Sequence, residues 1–177
     1  MRFARPAVAA SALAMFGAVM LGTTPLAAQT CSSNPCTVAV TTSASVVDVV
    51  QLTLSSTTHD LGTPTVADYT AGYKETAGPT ATVQSNRPWH VDVVAANVTK
   101  FAYSGSLTDP NKAASDLKWG TASGTYPNSA NASAVLKTGA TGTASATQQI
   151  FFRTLWSWTT DVPGTYSLIV NFTLAAP

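Results

Sequence analysis

The stretch FRTLWSWTTDVPGTYSLIVNF, residues 152–172, contains two strand-like segments joined by a turn. Its second half, continued to residue 174, alternates strictly in character. The apolar members of that alternation are Tyr166, Leu168, Val170, Phe172 and Leu174. The positions between them are mostly polar, and a period of two places the apolar row on one face of a β-strand. We therefore predict a strand over 164–174 with one buried face and one solvated face.

The first half of the stretch is apolar on both faces of its predicted strand, 148–158. Ile150, Phe152, Trp156 and Trp158 share one face, but Phe151 and Leu155 occupy the other. A central strand covered on both sides would explain this pattern, and so would a bulge that switches the faces. A third explanation is an exposed aromatic strip that contacts a glycan or a partner protein. Packing is the favoured interpretation, because tryptophan is common in sandwich cores.

Similar alternation recurs along the chain, bounded by Gly, Pro, Asn and Asp. The further candidate strands are 37–41, 46–54, 80–86, 88–96, 117–121 and 134–137. In 88–96 the residues Trp89, Val91, Val93 and Ala95 share a face. No helical period is convincing after the N-terminus, residues 58–73 are interpreted as a short strand with turns, and 104–116 is interpreted as a polar connection. The wider region 104–146 is rich in small residues and is expected to carry function or disorder outside its two candidate strands.

Short strands without intervening helices favour antiparallel pairing. The predicted fold class is all-β, an antiparallel two-layer β-sandwich of immunoglobulin-like type. A jelly roll or a small β-barrel is the alternative.

The N-terminus has the pattern of a secretory signal peptide. Arg2 and Arg5 precede an uncharged run from Pro6 to Leu21, and small residues follow at Ala27 and Ala28. We predict a signal peptide over 1–28, with an uncleaved membrane anchor as the less favoured alternative. The mature chain then divides into an N-terminal disulfide loop, 29–36, and a single β-sandwich domain, 37–177.

The two cysteines, Cys31 and Cys36, lie in CSSNPC. In an oxidising compartment this spacing favours a disulfide, and Asn34-Pro35 favours a turn between the two thiols. So short a loop would pin the terminus rather than stabilise the domain. Redox motifs have two residues between their cysteines, and no histidine lies nearby to complete a zinc site.

The charge balance disfavours nucleic acid and anionic membranes as partners. Of 9 Lys and Arg, Arg2 and Arg5 leave with the signal peptide, so that 7 remain against 8 Asp and Glu, a net charge near −1. Binding of nucleic acid draws on clustered Lys and Arg, as does binding to an anionic bilayer surface. No span of the mature chain is predicted to cross a membrane.

The sequence contains no convincing catalytic or metal-binding set. His90 shares a strand face with Asp92, but no nucleophile motif accompanies His59 or His90. Asp109, Asn111 and Asp116 share one polar segment that lacks the glycine and the glutamate of a calcium loop. We therefore predict no catalytic residue, no cofactor and no metal. Four aromatic residues form the candidate ligand platform: Trp119, Tyr126, Trp156 and Trp158.

Gly164-Thr165-Tyr166 resembles part of the tyrosine corner of immunoglobulin-like domains. The resemblance implies that the Tyr166 phenol bonds back to the backbone and ties a loop to a strand. Asp161 lies one position further from the tyrosine than the usual spacing, and the motif falls on the last strand. On these residues the chain resembles exported bacterial immunoglobulin-like surface proteins of the adhesin or pilin type.

These observations together predict an exported, non-enzymatic β-sandwich that acts as a structural or adhesion module. Its location would be secreted, periplasmic or at the cell surface, and its partner a protein or a glycan there. One alternative is a fimbrial-type subunit that self-assembles by donating a strand from 37–54 to its neighbour. Another is a small secreted carbohydrate-binding or hydrolytic protein.

Overall fold

The computed structural model describes residue 32 and residues 34–176, and the chain divides into two compact units, 1–44 and 45–177. In the first unit the described residues are all exposed and contain no helix or strand. The strand predicted over 37–41 is therefore absent. Alternation alone does not make a strand, because a strand is completed by hydrogen bonds to a neighbouring strand.

The second unit is built from ten strands, one short helix and one 3-10 turn. The strands are β1 (Val50–Leu54), β2 (Tyr73–Ser85), β3 (Trp89–Ala95), β4 (Ala102–Ser104), β5 (Leu117–Gly120), β6 (Asn128–Ser129), β7 (Ala134–Gly139), β8 (Thr143–Leu155), β9 (Thr165–Ser167) and β10 (Val170–Ala175). The helix α1 spans Val66–Ala71, and the 3-10 turn spans Ala114–Asp116. Every strand pair is antiparallel. The all-β antiparallel class is confirmed.

The strands form two main sheets that enclose one core. A five-stranded sheet has the order β1-β2-β8-β5-β6, a three-stranded sheet has the order β10-β3-β7, and β4 pairs with β9. Both sheets contribute to the buried cluster, which includes Val83, Trp119, Ile150 and Phe152 from the larger sheet and Trp89, Val91, Val93 and Leu136 from the smaller one. This arrangement is that of a two-layer β-sandwich.

The clearest alternations predict the buried faces correctly. In β3 the four residues of the predicted face, Trp89, Val91, Val93 and Ala95, are buried. The row from Tyr166 to Leu174 packs against the core, while Asn171 and Thr173 are exposed. The single strand predicted over 164–174 is nevertheless wrong, because residues 168–169 separate β9, which pairs with β4, from β10, which pairs with β3. β8 lies between β2 and β5; its Ile150 and Phe152 are buried in the core, whereas Phe151 and Leu155 on the opposite face are half-buried.

Other expectations were wrong. Residues 66–71 form a helix, because Thr65 and Asp68 make a reciprocal capping box and Gly72, with φ 81°, supplies the left-handed C-cap. Within 104–146 the predicted strands 117–121 and 134–137 are present as β5 and β7, whereas β6 and the start of β8 were not predicted. β8 ends at Leu155, so that Trp158 lies in a turn instead of a strand.

Two predictions fall on the N-terminal region. The signal peptide, 1–28, and Cys31 of the predicted disulfide lie outside the described residues, so both stay predictions. Within the described residues, no helix is long and apolar enough to cross a membrane.

Candidate functional site

A groove of about 550 Å³ opens along one side of the sandwich. One wall is Leu54 at the end of β1 and the segment 56–64 that follows it, and the other is 164–170 together with Phe172. The buried core residues Phe101, Leu117 and Phe152 also line it, so the groove reaches the core. Its surface is therefore apolar at depth, which is the usual character of a binding cleft.

The groove runs beside an open sheet edge. β10 pairs with β3 on one side, and no strand in the described part of the chain pairs with its other side. The inward residues Leu168, Val170 and Phe172 line the groove and are only half-buried. An edge strand with unpaired backbone groups and partly exposed apolar side chains is a template for a further strand.

An exposed apolar segment precedes β1. We call residues 37–46 the N-terminal arm. Its even-numbered row reads Val38, Val40, Thr42, Ala44 and Val46, its odd-numbered row is mostly polar, and it contains no charged residue. Val40 and Val46 are 81% and 87% exposed. Valine is among the residues most often buried in folded proteins.

The arm has a defined root. The Asn86 side chain accepts a hydrogen bond from Val49 N at 2.8 Å and donates one to Val47 O at 2.8 Å. Arg87 Nη1 lies 2.6 Å from Asp48 Oδ2. These contacts fasten 47–49 to Asn86 and Arg87, directly after β2.

The four aromatic residues of the predicted platform do not share one surface. Trp119 is completely buried in the core, and Trp156 and Tyr126 are half-buried. Only Trp158, 61% exposed, presents a large surface to solvent; it stacks on Tyr69 of α1 with ring centroids 4.4 Å apart. Trp119 therefore cannot belong to a surface platform, because its side chain packs in the core.

Next to the groove, a buried ion pair holds the loops together. Lys112 Nζ lies 3.0 Å from both carboxylate oxygens of Asp161, and it donates to Leu155 O at 2.6 Å. The same ammonium lies 4.5 Å from the ring centroid of Trp156, a groove residue. No sequence signal marks this site, because a single lysine and a single aspartate 49 positions apart form no motif.

Tyr166 makes the bond that its motif implies. Its hydroxyl donates to Val162 O at 2.7 Å and accepts from Val162 N at 2.9 Å. Burial raises the pKa of the phenol above its usual 10.0, against the opposing effect of the Val162 hydrogen bond. The neutral phenol therefore ties the turn before β9 to the strand that lines the groove.

The histidines do not converge with a nucleophile. His90 Nε2 lies 3.4 Å from Asp92 Oδ2 on the outer face of β3. His59 Nε2 contacts Thr76 Oγ1 at 3.0 Å, and its ring lies over Phe152. Each histidine thus has a local structural contact, and the two lie on different elements.

Asp109 and Asn111 both bind the ammonium group of Lys100. Both accept from Lys100 Nζ at 2.7 Å, and that hydrogen bond lowers the pKa of Asp109. Two of the three residues in the polar segment Asp109, Asn111 and Asp116 therefore bind the Lys100 ammonium. Among the described residues no cluster of His, Cys, Asp and Glu has the arrangement of a metal site.

Comparison of the chain with protein-family models, with curated proteins and with solved structures finds no match.

Proposed function

We propose that this protein is an exported, non-enzymatic structural or adhesion module of the cell surface or extracellular space, and that it assembles by strand donation. The observation that carries the proposal is the apolar groove beside the open edge of β10. The occupant is the N-terminal arm of a second copy, added along that edge as a further strand.

The arm and the groove agree in two respects. The arm's apolar row has the period of a strand, so that Val38, Val40, Ala44 and Val46 would face the groove together. The arm also carries no charge, so its insertion beside Phe152 and Phe172 would leave no charged group without a partner.

The experiment compares two substitutions on neighbouring residues of the arm. Val40→Asp places a carboxylate in the apolar row, and Ala39→Asp places the same group in the polar row. Both residues are exposed, so neither change should alter the fold of an isolated copy. Size-exclusion chromatography with light scattering on the mature chain should show multimers for the natural sequence and for Ala39→Asp, but monomers for Val40→Asp.

Two results would contradict the proposal. One is a natural mature chain that stays monomeric at every soluble concentration. The other is equal association of the Val40→Asp and Ala39→Asp variants, because strand addition requires the two rows to differ.

The proposal includes export, immunoglobulin-like topology and the Cys31–Cys36 bridge. N-terminal sequencing of the secreted protein should begin at Gln29. Under non-reducing conditions its intact mass should be about 2 Da below that of the reduced chain, as expected when a disulfide forms. A start at Met1 would contradict the proposed cleavage, and an unchanged mass the proposed bridge.

Glycan binding has weaker support, from one feature only. Trp158 stacks on Tyr69 and is exposed, which suits the apolar face of a sugar. A glycan array with the natural protein and with Trp158→Ala tests this candidate. Binding that depends on Trp158 would favour it over assembly alone.

A further inference from the structure

The wall of the groove formed by 55–64, here called the cover loop, has an unusual pattern of burial. Every described residue from Ser55 to Asp60 is exposed, whereas Leu61 is half-buried and packs against the core cluster. Both His59 and Leu61 line the groove. The loop thus directs one large apolar side chain toward the space that the groove offers.

The loop is fixed at its ends and held only lightly between them. At its start Ser55 N donates to Thr80 O and Ser55 Oγ accepts from Thr80 N, both at 2.9 Å. Near its end Thr63 O accepts from Lys74 Nζ at 3.0 Å. Between these anchors, the cover loop is held to β2 by the His59–Thr76 hydrogen bond at 3.0 Å.

His59 covers a residue that an incoming strand would contact. The His59 ring lies over Phe152, with centroids 5.6 Å apart and planes inclined by 34°. Phe152 is a core residue that lines the groove, so the ring covers apolar surface that would otherwise meet solvent. Burial of such apolar surface favours an inserted strand, in addition to the main-chain hydrogen bonds of strand addition.

From this geometry we infer that the cover loop is a built-in placeholder: as one wall of the groove it covers apolar surface such as Phe152 in the single copy, and it moves aside when the arm of another copy enters. This inference rests on the proposed strand donation and adds its regulation. A site that is open in only a fraction of molecules binds with its affinity reduced by that fraction. The cover loop therefore slows association until arms are abundant.

The test measures entry of a probe strand into the groove. The acceptor is the full mature chain carrying Val40→Asp, which disables its own arm. The probe is a fluorescent synthetic peptide of residues 37–49, and its anisotropy reports association. Leu61→Ser removes the placeholder side chain, and Leu107→Ser is the matched control, because Leu107 is 51% exposed and lies outside the groove.

We expect the association rate to rise about tenfold for Leu61→Ser, which corresponds to an activation free energy lower by about 1.4 kcal/mol. The rate should stay unchanged for Leu107→Ser. Thr76→Val is a second variant that removes the His59 hydrogen bond without altering the groove lining, and it should raise the rate in the same direction. It keeps the inference testable if Leu61→Ser fails to fold.

The outcomes separate the two proposals. If the peptide binds to none of the acceptors, strand donation itself is wrong. If the peptide binds but Thr76→Val and Leu61→Ser associate no faster than Leu107→Ser, strand donation stands and the placeholder is overturned.

Discussion

Lys112 and Asp161 form a nearly symmetric ion pair, with 3.0 Å from Nζ to each carboxylate oxygen, and their side chains are only 2% and 3% exposed. Lys112 precedes the 3-10 turn and Asp161 follows β8, so the pair joins two loops distant in sequence. A buried charge without its partner is strongly unfavourable, because the interior does not replace its hydration.

Lys112→Met should therefore lower the free energy of unfolding by about 3–5 kcal/mol, since it leaves the Asp161 carboxylate buried without a counter-charge. Combining Lys112→Met with Asp161→Asn should recover part of that loss. Urea unfolding of the single and double variants measures the difference. A double variant less stable than either single variant would show that the loops need the charges themselves.

Two tryptophan substitutions should have very different costs. Trp119→Ala creates a cavity in the core and should cost about 3–5 kcal/mol. Trp158→Ala removes an exposed ring and its stack on Tyr69, and should cost below about 1.5 kcal/mol. Thermal unfolding of the two variants under identical conditions tests this, and similar losses would contradict the assignment of Trp119 to packing.

Gly139 should not tolerate a side chain. A Cβ there would fall within the indole of its cross-strand partner Trp89, which is buried and donates to Thr143 Oγ1 at 3.0 Å. Gly139→Ala forces Trp89 to move and should cost about 1–3 kcal/mol, the usual range for overpacking. Thr138→Ala, on the exposed neighbour, is the control, and equal melting temperatures of the two variants would disprove the contact.

Tyr166 should make stability fall at alkaline pH. Burial raises the pKa of its phenol in the folded state above 10.0, so its contribution is complete below pH 10.0 and is lost as pH rises through the folded-state pKa. Tyr166→Phe should lose about 0.5–1.5 kcal/mol with the Val162 hydrogen bonds. Urea midpoints from about pH 8 to about pH 11 should therefore converge for the two proteins. A difference between the two urea midpoints that grows with pH would contradict the predicted direction.

Alternation predicted those strands whose two faces meet different surroundings. In β3 and β10 one face contacts the core and the other solvent, so the period of two is visible in the sequence. α1 was missed because six residues are too short for a helical period, and its signals were only the capping pair Thr65–Asp68 and Gly72. The arm shows the converse: its period is that of a strand, but residues 37–46 are not in a strand.

The groove and its cover loop were beyond sequence reasoning for a different reason. This groove lies where a sheet edge has no neighbouring strand, and the position of such an edge depends on the order of strands in the sheets. Leu61 and Phe172 lie far apart in sequence but line the same groove. The Lys112–Asp161 pair likewise depends on the meeting of two loops.

The two hydrogen bonds of Asn86 to Val47 and Val49 have a geometric consequence for an assembly formed by strand donation. Because these contacts hold residue 47, the extended reach from residue 46 back to 37 is limited to about 30 Å, at about 3.3 Å for each step between residues. In an assembly of copies, the distance between successive copies would then be set by the length of this extended backbone. Inserting two residues between the arm and residue 47 would increase that distance and keep the even-numbered apolar row facing the groove, whereas inserting one residue would turn that row away from it.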